Sequence, residues 1–254
     1  MTSGFVDFHC HLDLYPDHEA AFVEREREEV YTVAVTTTPK AWPRNRDLAS
    51  GKCFIRAALG IHPQLISSRE DDFPIWEKYL HEARFVGEVG LDAGTRFYKS
   101  LEQQKLVFSR VLRACAEQGN KILSVHSVRA ATAVLDLVEK NLPPSRGTVV
   151  LHWFTGTNSE AKRASQMGCY FSINREMFRT SHRQKMIAEL PLNRILTESD
   201  APFIRVPPQG THSDILQETV DLLARVRKSE SQEIVRIVKS NASHVLDEPY
   251  SGPE

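Results

Sequence analysis

Eight short apolar runs alternate with amphipathic segments along almost the whole chain, and this alternation constrains the fold more than any other feature of the sequence. The runs lack the strict polar alternation of half-exposed strands, so they predict parallel strands that are buried on both faces. The predicted strands are Phe5–Cys10, Tyr31–Thr38, Phe54–Gly60, Phe85–Leu91, Lys121–Ser127, Thr148–Phe154, Tyr170–Asn174 and Arg194–Ser199.

Helical patterns fill the intervals between these runs. Apolar residues recur at helical spacing in Ser100–Gln118, and Gly119 follows as a C-terminal stop. The predicted helices are Asp17–Glu29, Ser100–Gln118, Ala131–Asn141, Ser159–Met167, Asp214–Lys228 and Glu230–Leu246. Ser213 and Ser229, directly before the last two, are the predicted N-caps.

Eight strand–helix repeats in 254 residues predict an α/β fold, a (β/α)8 TIM barrel that forms a single domain over residues 1–254. Barrels of this type have about 250 residues. The alternative is an open doubly wound sheet, which carries a glycine-rich phosphate loop after its first strand. Here Phe8–Leu12 occupies that place, so the barrel is favoured.

Composition limits the classes of partner. The chain has 32 basic and 33 acidic side chains, which excludes a uniformly basic coat for long nucleic acid but leaves a local patch possible. We find no signal peptide, no run of about 20 uncharged residues and no CxxC pair among four separate cysteines. These features predict a cytoplasmic protein with reduced thiols and no membrane association.

Histidines and carboxylates fall at the C-terminal ends of the predicted strands, the rim where a barrel carries its chemistry. His9 and His11 are two residues apart, so both point to the same side of an extended chain. A lone histidine is usually structural, but so many buried ionisable groups at one rim are costly unless they pair or bind metal. The candidate metal ligands are His9, His11, Glu88, His126, His152 and Asp200.

The donor types indicate which metals suit this site. Mixed imidazole and carboxylate ligands fit Zn, Mn, Co or Ni better than Ca, and Mg is a further candidate. Six ligands exceed the set of one tetrahedral zinc, whereas two ions that share a bridging carboxylate would use all six. The sequence has neither a G-x-S-x-G elbow nor a phosphate-binding P-loop, so it predicts metal-assisted hydrolysis.

Six segments together resemble the motifs of TatD-like deoxyribonucleases, metal-dependent members of the amidohydrolase superfamily. They are Asp7–Asp13, Gly60–Pro63, Gly87–Asp92, His126-Ser127, Leu151–Gly156 and Thr197–Pro202. The resemblance implies a TIM barrel that hydrolyses phosphodiester bonds in DNA, often from the 3′ end. Phe85–Leu91 contains Glu88 and no lysine, which favours this branch over amidohydrolases that bridge their metals with a carboxylated lysine.

The resemblance also implies roles for the rim residues. His9, His11 and Asp200 would hold one ion, and His126 and His152 the second. Glu88 would bridge the two ions, and Asp200 would orient or deprotonate the attacking water, so these two carboxylates are the catalytic candidates. The predicted substrate contacts are His62, Asp92, Arg129, Trp153, Arg175 and Arg205. The remaining histidines, predicted to be solvated, are His18, His81, His182, His212 and His244.

Several departures from the family pattern lie in loops predicted to contact substrate. Val128 precedes Arg129, Trp153 replaces a common cysteine and Ser199 replaces a common threonine. A divergent relative fits this pattern, for example the TatD-like component of a Qat antiphage operon with protein partners in a defence complex. The predicted substrate is DNA with single-stranded or frayed ends. The alternatives are a metallohydrolase of a small ester, amide or phosphoester, and a partner-gated or binding subunit.

Overall fold

A computed structural model describes residues 4–68, 72–205 and 210–247 of the chain. Its strands are β1 Val6–Cys10, β2 Tyr31–Ala34, β3 Ile55–Leu59, β4 Phe85–Gly90, β5 Lys121–His126, β6 Gly147–His152, β7 Tyr170–Ile173 and β8 Ile195–Thr197. Each strand pairs in parallel with the next, in chain order. All eight predicted strands are therefore confirmed, although β2 ends four residues earlier than predicted, at Ala34.

The first and last strands are joined just beyond their C-terminal ends. The Asp200 N–H donates to the His9 carbonyl at 2.9 Å, and the His11 N–H donates to the Ala201 carbonyl at 2.8 Å. These two bonds bring the end of β8 against the end of β1 and leave the barrel nearly closed. The predicted (β/α)8 TIM barrel is confirmed.

The helices are α1 His18–Arg27, α2 Trp42–Ala49, α3 Asp72–Tyr79, α4 Leu101–Gln118, α5 Ala131–Asn141, α6 Asn158–Gln166, α7 Ser181–Glu189, α8 His212–Arg227 and α9 Ser231–Asp247. Six of these were predicted, and α2, α3 and α7 were missed. The missed helices are short and bury few side chains; α7 buries only Met186 and Ile187 among its residues. So short an apolar stripe gives no readable helical period.

The core forms where the helices pack on the strands of the barrel. Every residue of β1, β4 and β5 is buried, as the continuous apolar runs predict. The long helix α4 covers the outside of the barrel with Phe108, Val111, Leu112 and Cys115, all buried. Full burial of a Val, Leu or Phe side chain stabilises the folded state by about 1.5–3 kcal/mol.

Both predicted N-caps are wrong. The N-cap of α8 is Thr211, whose backbone N–H donates to the Asp214 carboxylate at 2.6 Å. Ser213 instead lies in the first turn of α8 and donates its N–H and hydroxyl to Glu28. The helix α9 begins at Ser231, so Ser229 lies one residue before the cap position. Thr211 and Asp214, three residues apart, form a capping box that marks the start of α8.

All four cysteines carry free thiols, and only Cys53 is exposed. Burial raises the pKa of the Cys115 and Cys169 thiols to about 12, so both stay protonated. Across the described ranges, no helix has the length and apolar character needed to cross a membrane.

Candidate metal centre

All six predicted ligands meet at the C-terminal mouth of the barrel. His9 lies in β1, Glu88 in β4, His126 and His152 end β5 and β6, and His11 and Asp200 follow β1 and β8. Each of the six residues is buried. Five of them line a cavity of about 510 Å³, and His9 is fully buried and does not line it. The parallel strands thus bring together groups that are up to 191 residues apart in the chain.

The two carboxylate oxygens of Glu88 face different groups of histidines. Oε2 lies 3.2 Å from Nε2 of His11 and 3.5 Å from Nε2 of His9. Oε1 lies 2.5 Å from Nδ1 of His126 and 3.7 Å from Nε2 of His152. Glu88 therefore stands between two groups of nitrogen donors, the position that a bridging carboxylate requires.

The electrostatics of the centre keep Glu88 ionised. Burial opposes its ionisation, but the imidazoles of His62 and His126 outweigh burial and hold the pKa of Glu88 well below its usual range. His62 lines the same cavity, with Nε2 at 3.1 Å from Glu88 Oε2. Glu88 belongs to two groups of side chains whose ligand atoms are close enough to hold a metal ion. One group contains His9 and His11, and the other contains His62 and His126.

Asp200 presents a buried acceptor to the first pair of histidines. Its Oδ1 lies 3.6 Å from Nε2 of His11 and 3.7 Å from Nε2 of His9. In the described part of the chain this oxygen has no hydrogen-bond donor. Burial raises the pKa of Asp200 to about 7. An acceptor buried without a donor is costly, and a cation coordinated by it would remove that cost.

A further carboxylate, Glu198, fixes the orientation of His152. It is fully buried and accepts from His152 Nδ1 at 3.0 Å, from Asn174 Nδ2 at 2.8 Å and from the Ser172 hydroxyl. The interaction with Glu198 outweighs burial and raises the pKa of His152 to about 10. Carboxylates commonly orient metal-binding histidines in this way. The sequence analysis missed this role, although Glu198 lies in the segment that contains Asp200.

Asp92, a predicted substrate contact, lies against His126 instead of in the cavity. Its Oδ2 is 3.1 Å from His126 Nε2 and accepts from Gln64 Nε2 at 2.7 Å. Asp92 is 2% exposed and does not line the cavity. The structure thus gives it the same orienting contact to His126 that Glu198 makes to His152.

His212 is buried, so its predicted exposure to solvent is wrong. It is the first residue of α8, and its Nε2 lies 2.5 Å from Oδ2 of Asp7. Asp7 also accepts from the Ser199 hydroxyl at 2.6 Å and from the Ser199 N–H at 2.9 Å. This cluster ties α8 to the strands that carry His9 and Asp200. His81, His182 and His244 are exposed as predicted, and His18 is half-buried.

Three residues next to the site have left-handed backbones. The φ angles are 52° at Arg129, 38° at Trp153 and 49° at Asp200. Such conformations cost about 1–3 kcal/mol each in residues with a side chain, and they cluster at functional sites. A related constraint acts at Gly90, where φ is 135° and a Cβ would lie 2.1 Å from the His126 carbonyl oxygen. Only glycine allows β4 to approach β5 there.

The other predicted substrate contacts separate into two groups. Trp153 lines the cavity with the metal-ligand candidates, and Arg129 lines a neighbouring cavity. Arg175 is paired with Glu218 at 2.6 Å. Neither Arg175 nor Arg205 lines either cavity.

Three residues that sequence reasoning missed also line the metal-site cavity: Gln64, Arg183 and Phe203. Arg183 was missed because α7 was not predicted. Phe203 is 65% exposed and packs edge-on against His11, with ring centroids 5.3 Å apart.

Comparisons with known proteins identify the family. The family model described as TatD related DNase matches residues 6–247. Deoxyribonuclease TATDN3 of Homo sapiens is 27% identical, over 94% of this chain and 93% of its own. The uncharacterized metal-dependent hydrolase MJ1582 of Methanocaldococcus jannaschii is 25% identical, over 93% and 94%.

A solved structure agrees with this fold. The TatD homologue YJJV from Escherichia coli has a TM-score of 0.84 and 24% identity, and the match covers 96% of this chain and 98% of that one. Because the family model matches nearly the whole chain, this protein belongs to the TatD related DNase family and is a metal-dependent hydrolase.

Proposed function

We propose that this protein hydrolyses phosphodiester bonds in DNA with two divalent cations held at the barrel mouth. The position of Glu88 carries the proposal, because one of its oxygens faces His9 and His11 and the other faces His126 and His152. His9, His11 and Asp200 would hold one ion, His126 and His152 the other, and Glu88 would bridge them. Several relatives, among them human deoxyribonuclease TATDN3, are named as deoxyribonucleases, which supports DNA as the substrate.

The residues present fit such ions. The donors are imidazole nitrogens and carboxylate oxygens, the set that suits Zn, Mn, Co or Ni, with Mg as a further candidate. The orphaned Oδ1 of Asp200 supports a cation on the side of His9 and His11. Glu198 and Asp92 hold His152 and His126 in fixed orientations, so less ordering is needed when an ion binds.

The protein residues then have separable tasks. When bound, the cations supply Lewis-acid polarisation of the scissile phosphate. Asp200 orients the attacking water and accepts its proton, as a general base within reach of the reacting atoms. His62 and Trp153 line the cavity and contact the substrate around the scissile bond.

Cavity shape and net charge favour a free strand end. The site is a concave cavity of about 510 Å³ in a chain of net charge −1. A stiff duplex gains affinity mainly from many phosphate contacts, and this chain has no excess of basic groups to provide them. We therefore propose exonucleolytic cleavage of single-stranded or frayed ends. The 3′ polarity rests on the family resemblance, as does membership of a defence complex, which stays a prediction.

Metal analysis combined with end-labelled DNA tests the proposal. We expect cation-dependent shortening of linear single strands, slower shortening of duplexes and no cleavage of closed circles. Glu88→Gln should abolish shortening, whereas Glu19→Gln, a matched change at an exposed carboxylate on α1, should not. Hydrolysis of small esters or amides without any DNA cleavage would favour the small-molecule alternative instead.

A further inference from the structure

A second cavity, of about 630 Å³, lies beside the metal-site cavity. Three residues line both cavities and so form a shared wall: Ser127 after β5, Thr155 after β6 and Arg183 in α7. The second cavity continues over the start of α5, and Arg129 is among its lining residues. A ligand longer than the metal site can hold therefore finds a neighbouring cavity on the β5–β6 side.

The position of the shared wall gives the path a direction. The metal-site cavity extends from Phe203, which follows β8, to Ser127, which follows β5. In a barrel with strand order β1 to β8, the β1–β8 junction lies opposite β5. A chain that crosses the metal centre from Phe203 thus reaches the second cavity at Ser127 and Arg183.

The two acidic side chains that line the second cavity both have partners in neighbouring residues. Asp136 forms an ion pair with Arg163 at 2.6 Å. Glu160 accepts from the Thr132 hydroxyl at 2.5 Å and from the Thr157 N–H at 2.7 Å. The charge of Asp136 is thereby compensated by Arg163, whereas Glu160 keeps its charge and is held in place by hydrogen bonds.

Two guanidinium groups keep their donors available. Within the described residues, Arg183 and Arg129 have no carboxylate within ion-pair distance, and the side chain of Arg129 makes only a long contact of 3.5 Å to the Thr95 hydroxyl. Lys105, by contrast, is paired with Glu102 at 2.7 Å. A guanidinium group offers paired donors that match the oxygens of a phosphate.

We propose that the second cavity binds the DNA strand next to the scissile bond, with Arg183 holding the first phosphate beyond it. Arg129 contacts the strand further along. This inference rests on the proposed function and adds that the preferred substrate is an oligonucleotide with at least one phosphodiester beyond the one that is cut. Arg183 is then a residue that determines preference for substrate length.

Substrates of increasing length test the inference. Hydrolysis of bis(p-nitrophenyl) phosphate, a dinucleotide, a trinucleotide and a longer single strand is measured for the wild type, Arg183→Ala and Lys185→Ala. Lys185 is an exposed cation on α7 that lines neither cavity, so its variant removes the same charge from the same helix. Thermal melts check that the wild type and every variant are folded.

We expect Arg183→Ala to lower kcat/KM for the trinucleotide and longer strands by about tenfold more than for bis(p-nitrophenyl) phosphate. Its kcat/KM on long strands should also depend less on salt, with a log–log slope shallower by about 0.7, the value of one single-strand phosphate contact. Arg183→Lys should recover part of the loss, and Lys185→Ala should behave as the wild type.

Equal losses on short and long substrates would overturn the inference, because they would indicate a general disturbance of the site. An equal effect of Lys185→Ala, or no effect of Arg183→Ala, would overturn it as well. Failure of the wild type to hydrolyse any phosphodiester in the presence of metal would contradict the proposed function itself, and this inference with it.

Discussion

Glu88 is the residue on which the proposed two-ion arrangement depends most, since its two oxygens face separate groups of histidines. Glu88→Gln keeps the size of the side chain but removes the charge between the two sites. We expect the bound content of at least one ion to fall. Turnover should fall with it, because the transition state loses stabilisation of about several kcal/mol. Elemental analysis and rate measurements check this. Two ions retained with unchanged turnover would contradict it.

Asp200 allows ligand and base functions to be separated. Asp200→Asn keeps an oxygen that can coordinate an ion but cannot accept a proton from water. We expect turnover to fall by about 10²–10⁴-fold, the usual contribution of general base catalysis, and metal content to fall less. Rates and metal content are compared across a metal titration. If both fall in parallel, Asp200 acts as a ligand alone.

Protons compete with cations for these side chains. In chelated protein, interactions with Glu88 outweigh burial and raise the pKa of His126 to about 9, and burial raises the pKa of Asp200 to about 7. Near neutral pH His126 is therefore largely protonated and Asp200 partly protonated, and both must lose their protons to bind a cation. Metal affinity should therefore increase as pH rises from about 6 to 8. Calorimetry in buffers of different ionisation enthalpy should show proton release; an affinity independent of pH would contradict this.

At the scale of elements, the sequence predicts what periodicity records and misses what single contacts decide. The strands and the long helix α4 are visible because many apolar side chains repeat at one spacing. The short helix α7 has no such pattern, so Arg183 was not placed at the cavity. The left-handed backbones of Trp153 and Asp200 depend on packing at the rim, which no local pattern encodes.

The burial of His212 gives a prediction at the same scale. His212→Ala removes a donor to the buried Asp7 carboxylate and loosens the start of α8 from the β1–β8 junction. A buried acceptor that loses a donor costs about 1–3 kcal/mol. We expect Tm to fall by several degrees, at about 2–4 °C per kcal/mol for a chain of this size. His244→Ala, at an exposed histidine of α9, is the control. Equal melting of the two variants would contradict the role of His212.

For the whole molecule, closure of the barrel is what assembles the site. The candidate ligands lie in or directly after β1, β4, β5, β6 and β8, so no single strand or motif contains them all. The order of the motifs was sufficient to predict their convergence, because all parallel strands end at the same rim. Which arginine side chains are available near the site could not be predicted from the sequence. Arg175 is paired with Glu218, whereas Arg183 has no ion-pair partner within the described ranges.

The overall charge predicts how the whole molecule would hold DNA under the proposed function. With 32 basic and 33 acidic side chains, the chain should bind through only about two to four phosphates, most of them at the metal site and the arginines beside it. The affinity for single strands should consequently show a shallow salt dependence, with a log–log slope between about −1.4 and −2.8. Titrations of labelled single strands at several salt concentrations measure this slope, and closed circular DNA should resist cleavage. A slope as steep as about −8, or efficient cutting of circles, would indicate an endonuclease with an extended basic track.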